Sequence, residues 1–158
     1  MAGLGFPTIL SLLLALLLLW GAATDLRSRI ISNELNLAIA LLAPLWWWAN
    51  GLAFYPDVAL QLAQAAILFL LFTGLFALGM MGGGDVKLLG ALALWLPLPG
   101  IVTLLIVMSL AGGVVTIATL AHHKLLRRAG QAEIPYGVAI ALAGLWVLGE
   151  RYLNALPS

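Results

Sequence analysis

No Asp, Glu, Lys or Arg interrupts the chain between Glu34 and Asp57, between Asp57 and Asp85, or between Lys87 and Lys124. Runs of Leu, Ala, Val, Ile and Trp without charge cannot face water along a whole helix, and they are long enough to cross a bilayer, which takes about 20 mostly apolar residues. Charged residues make up 8% of the 158 positions and hydrophobic residues 64%, against about 25% charged in a soluble domain. The chain therefore reads as an all-α integral membrane protein, with residues 1–158 forming a single transmembrane domain and lipid as its surroundings.

Cutting at charged or Gly/Pro-rich points gives six transmembrane segments: Leu4 to Ala23, Asn33 to Asn50, Val58 to Leu78, a short fourth from Asp85 to Leu96, Ile101 to His122, and Ile134 to Leu153. Pro97-Leu98-Pro99-Gly100 is the turn signal between the fourth and fifth. Gly21-Ala22-Ala23 could end a cleaved signal peptide, but the first segment has no basic start and its apolar stretch is too long. It is read as a retained helix. Arg27, Arg29, Lys87, Lys124, Arg127 and Arg128, six of the seven cations, fall in loops of one parity. The positive-inside rule makes that side cytoplasmic and puts both termini outside.

Net charge +1 and scattered cations exclude a nucleic-acid surface. Without cysteine there is no disulfide, no thiolate metal site and no cysteine nucleophile. His122 and His123 are adjacent, so on a helix they diverge by about 100° and do not chelate one ion; no metal and no cofactor is expected. Trp46-Trp47-Trp48 reads as an interfacial aromatic belt, and Ala111-Gly112-Gly113 as a close helix contact.

The stretch Met80-Met81-Gly82-Gly83-Gly84-Asp85-Val86-Lys87 sets a carboxylate behind three glycines. Asp85 and Asp25 both emerge at the cytoplasmic boundary and can meet. Asp57 lies in the opposite loop and Glu150 beside Arg151, while Glu34 and Glu133 share the cytoplasmic side in short solvated positions. Singly, each aspartate has a plain role: Asp85 as a helix cap behind a glycine turn, Asp25 as a partner for Arg27 or Arg29. Together they hold one proton more easily than two charges, so one is acid and the other base. Such a pair activates water and polarises a peptide carbonyl with no metal. The glycines would open backbone conformations closed to other residues and admit a substrate strand. The glycine run lacks the spacing and Lys-Ser/Thr pair of a phosphate loop.

Gly82-Gly83-Gly84-Asp85-Val86-Lys87-Leu88 resembles the GxGD motif of the type IV prepilin peptidases. Asp25-Leu26-Arg27-Ser28-Arg29-Ile30-Ile31-Ser32-Asn33 is similar to the family's first motif, with Ser32 in place of its proline. Ile134-Pro135-Tyr136-Gly137-Val138 is similar to its Pro-Tyr/Phe-Gly element. The resemblance implies Asp25 and Asp85 as the catalytic pair of an aspartic endopeptidase. Arg27, Asn33, Gly82, Gly83, Gly84, Lys87, Pro135, Tyr136 and Gly137 are implied as supporting or substrate-binding. It also implies a prepilin or pseudopilin partner cut after a short basic leader, at the cytoplasmic face of a bacterial inner membrane. Having neither cysteine nor the cysteine-bearing insertion of long members, the chain is similar to the peptidase-only form that serves Tad/Flp pili, without N-methyltransferase activity. From the residues alone, an ion- or proton-coupled transporter and a non-catalytic assembly subunit are the competing readings.

Overall fold

The computed structural model describes residues 5–125 and 134–153. They form six helices: α1 (Phe6–Ser28), α2 (Asn33–Ala49), α3 (Ala59–Ala77), α4 (Gly83–Ala93), α5 (Leu98–Leu125) and α6 (Tyr136–Leu153). Arg127, Arg128 and Glu133 lie outside the described residues. Phe6–Ser28, Phe54–Ala77 and Leu98–Leu125 are each long and apolar enough to cross a membrane. At 11 residues, α4 is about 16 Å long and cannot cross the roughly 30 Å hydrocarbon core by itself. Six helices are present, then, while three satisfy the length and hydropathy of a full span. Leu16, Trp20, Ile67, Leu70, Leu110 and Ile117 point outward and exposed, the apolar perimeter that lipid, not water, accommodates.

Packing is organised as a ring. α1 packs on α2, α2 on α4, α4 on α6 and α6 back on α1, while α3 lies outside against α4 and α5 outside against α6. The ring places α1 and α4 across from each other. Each member contributes to the centre: Leu14 and Leu18 from α1, Ile39 from α2, Leu88, Leu89 and Leu92 from α4, and Ile140 from α6 are almost fully buried. Small residues bring the axes close, because between helices in lipid the attraction is packing, without a hydrophobic drive. A Cβ at Gly144 would stand 2.9 Å from Leu18 Cδ1, and one at Gly21 2.9 Å from Leu35 Cδ2. In α5, Gly112 is buried and faces Tyr136 and Ala139, whereas Gly113 faces open space.

Three long-range bonds fix the far end of the short α4. A helix ending within a bundle leaves carbonyls unpaired, at several kcal/mol each in hydrocarbon. Here Trp47 Nε1–H donates to Leu94 O at 2.8 Å and Gln64 Nε2–H to Leu96 O at 2.7 Å. Trp95 Nε1–H donates to Ile39 O at 2.9 Å, in the turn before Pro44, which removes one N–H from the α2 ladder.

The tryptophan triplet is therefore mostly interior. Trp46 is buried, with its ring centroid 5.8 Å from that of Trp95. The Arg151 guanidinium lies 4.6 Å over the Trp46 ring. Trp47 serves α4, and Trp48 faces outward against Phe6. The turn expected at 97–100 is short, since Leu98, Pro99 and Gly100 already form the first turn of α5, where proline lacks nothing that the helix uses.

Trp95 is 0% exposed, so Trp95→Ala removes both its volume and its bond. It should cost about 3–5 kcal/mol, read as an earlier unfolding midpoint in a denaturing-detergent titration.

Candidate active site

α1 runs on through Asp25 to Ser28 because its polar end is satisfied from within: Thr24 Oγ1–H donates to Gly21 O and Ser28 Oγ–H to Thr24 O. Asp25 therefore projects from the last turns of a helix, buried at 5% exposure, and not from a loop. Its Oδ2 accepts the Val138 N–H at 3.1 Å, and the Gly137 N–H is directed to the same carboxylate. These are second- and third-position amides of α6, donors that no helix can pair internally, at the end where the helix dipole favours negative charge. Asp25 thus caps a helix 113 positions away.

Asp85 stands in the first turn of α4 and bends back to accept the Gly82 N–H, the reach of a carboxylate in a capping box. The Asp25 carboxylate faces it from α1. Both aspartates line one cavity of ≈530 Å³, enclosed by the glycine run, Arg29, Ile31, Met80, Met81, Ile134 and Tyr136. That volume suits a small segment of peptide, within the range of about 300–1,000 Å³ common to ligand sites.

The glycines act here by size, not by unusual dihedral angles. Gly82 is extended (φ −73°, ψ 143°), and Gly83 and Gly84 are helical. The positive φ in this region belongs to Gly79, at +73°. There it closes α3 with the Met80 N–H on Leu75 O and its own N–H on Phe76 O, a Schellman ending. A Cβ at Gly84 would stand 3.2 Å from Ile31 Cβ, one at Gly137 2.5 Å from Ile31 Cδ1 and 2.9 Å from Asp25 Oδ2, and one at Gly82 2.9 Å from Asp85 Oδ2. Ile31, 7% exposed, is wedged between the first turns of α4 and α6. Sequence reasoning passed over it. Two isoleucines side by side in a four-residue link, Ile30 and Ile31, were the available signal, and of these it is Ile31 that is buried.

The remaining expected residues divide into two groups. Ser32 caps α2 by accepting the Leu35 N–H at 3.2 Å. Asn36 Nδ2–H donates to Gly84 O at 3.3 Å, and Lys87 Nζ donates to Asn33 Oδ1 at 2.8 Å, so Asn33 and Lys87 tie the start of α2 to α4. Pro135 is buried and Tyr136 lines the cavity. Arg27 is exposed and does not line it. Arg29 does, from a left-handed conformation (φ 57°) at the α1 C-cap. Asp57 is occupied at the opposite end, accepting the Ala53 N–H at 3.1 Å. Among the described residues, no three His, Asp or Glu side chains gather as for a metal ion.

Gly137→Ala should drive a methyl group into Ile31 and Asp25 and cost about 1–3 kcal/mol. Gly113→Ala, in open space, should cost nothing measurable. Thermal unfolding of the two variants side by side checks this.

Compared with known proteins, residues 12–117 match the type IV leader peptidase family. The chain is also 30% identical, over an alignment of 158 residues, to a prepilin leader peptidase/N-methyltransferase of Xanthomonas campestris pv. campestris; the alignment takes in 92% of this chain and 51% of that protein. The chain thus spans about half the length of the curated relative it matches. No solved structure matches it. With its motif aspartates on one cavity and a family match over most of its length, the chain belongs to the type IV leader peptidase family.

Proposed function

We propose that the chain is a membrane-embedded aspartic endopeptidase that removes the short basic leader of a type IV prepilin or pseudopilin. The observation that carries this reading is the convergence of Asp25 and Asp85, from helices across the ring, on one cavity. Asp85 carries the proton of the pair and polarises the scissile carbonyl. Asp25 draws a proton from water as the water oxygen bonds to the carbonyl carbon. The tetrahedral intermediate then breaks its C–N bond, the leaving amine takes up a proton, and the pair returns to its singly protonated form. The Val138 and Gly137 amides hold Asp25 in place at the start of α6.

The cavity opens where α1 ends and α4 and α6 begin. Arg27, Arg29 and Lys87 flank that end, which supports a cytoplasmic placement by the positive-inside rule, in a bacterial inner membrane with both termini outside. Six membrane segments are part of the same reading, with α4 carried inside the bundle. A leader cut just before a hydrophobic helix presents its bond at this depth.

In a co-expression assay with a panel of prepilins, the wild type should convert precursor to mature pilin, with the cut site read by N-terminal sequencing. Asp25→Asn and Asp85→Asn should each lower processing at least about 100-fold while still inserting in the membrane. Normal cleavage by either variant would remove the dyad from the mechanism. Because the pair works with one proton between its two carboxyls, kcat/KM should fall at both low and high pH. A rate that climbs steadily with pH removes the protonated aspartate from the mechanism.

A further inference from the structure

A second cavity, of ≈610 Å³, lies on the far side of α4. Gly90, Ala91 and Leu94 of α4 form its floor, Ala40 of α2 and Ala66 and Phe69 of α3 stand in its walls, and Lys87 and Asn33 mark one end. At about 100° per residue, positions 87, 90, 91 and 94 centre about 180° around the helix from Asp85. The helix itself separates this groove from the aspartates, so a peptide seated on the dyad does not occupy it.

We propose that this groove binds an anionic phospholipid, an acyl chain lying along α4 and the phosphate on Lys87. The groove is apolar and floored by small side chains, which gives a slot open toward the bilayer. At its end, Lys87 is exposed, and of the three donors on its ammonium Asn33 Oδ1 takes one. Two remain for phosphate oxygens. The nearest carboxylate in sequence on α2, Glu34, is turned to its own backbone N–H and the Ser32 hydroxyl, so it leaves that positive charge unneutralised. A cation at the membrane boundary above an apolar slot matches the two halves of an anionic lipid. Seated there, the lipid braces α4 between α2 and α3, the helix whose first turn carries Asp85.

The test is native mass spectrometry of the full chain in detergent, incubated with phosphatidylglycerol or with phosphatidylcholine of identical acyl chains. The wild type should retain one phosphatidylglycerol about fivefold better, the preference that one lysine gives for an anionic lipid surface. Lys87→Gln should bring retention down to the phosphatidylcholine level and Lys87→Arg should restore it. Ala66→Phe, which fills the slot from a wall position, should abolish the adduct. Equal retention of the two lipids by the wild type, an unchanged adduct in Ala66→Phe, or a two-chain mass in place of the lipid adduct overturns the proposal. The wild-type comparison stands whether or not a variant folds, and no arm depends on peptidase activity.

Discussion

The bond from the Val138 N–H to the Asp25 carboxylate joins the last turns of α1 to the first turn of α6, and the rest of this end of the bundle is arranged around it. For the amide to come within 3.1 Å, α6 must start against α1 with nothing between, which requires Gly137. The link from α1 to α2 then has to pass through what space is left. It does so by placing Ile31 against Gly137 on one side and Gly84 on the other. Three short motifs far apart in the chain are thereby one steric unit. Substituting any member displaces the other two.

The other end answers a different constraint. A helix of 11 residues in a bundle of longer ones ends among its neighbours, where an unpaired carbonyl is costly. Indole and amide donors from α2 and α3 take up the carbonyls just past that end, at Leu94 and Leu96, so the chain leaving α4 is held at its C-terminal side while its N-terminal end meets the cavity. Bonds of this kind average about 0.6 kcal/mol each in lipid. Their number and convergence, more than their individual strength, hold α4 in register.

The segments were legible because a span of apolar residues between charges has few alternatives to a helix. The expected Asn33 to Asn50 and Val58 to Leu78 end within a residue of α2 and α3. α1 was cut five residues short since Thr24, Asp25 and Ser28 read as polar boundary, whereas their side chains bond back to the helix or to α6. The two aspartates were legible as a pair from parity alone. What sequence could not supply was the full reason for the glycines, read there as dihedral freedom and room for a substrate strand, whereas the structure adds close contact with this chain's own Ile31, Phe76 and Asp85. Nor could it supply the wedge of Ile31 or the cavity position of Arg29, because all three depend on which helix starts are neighbours. Trp46 and Trp47 were misplaced for the same reason: a belt and an interior tryptophan have one composition, and the neighbours decide between them, the Trp95 ring for Trp46 and the Leu94 carbonyl for Trp47.

The plain reading of each aspartate as a helix cap and the catalytic reading of both are compatible, and the geometry explains why. Asp25 gives one oxygen to α6, and Asp85 turns one toward the Gly82 N–H. A carboxylate has two oxygens and about four acceptor positions, so a cap occupies only part of it. Capping restrains the side-chain torsions of two carboxyls that line one cavity, and such restraint is the preorganisation that an acid-base pair requires. Asparagine keeps an acceptor oxygen for the helix amide and loses the proton chemistry, whereas alanine loses both. A defect in the asparagine variants with the helix bundle intact therefore reports on the pair as an acid and a base, separately from its service to α4 and α6.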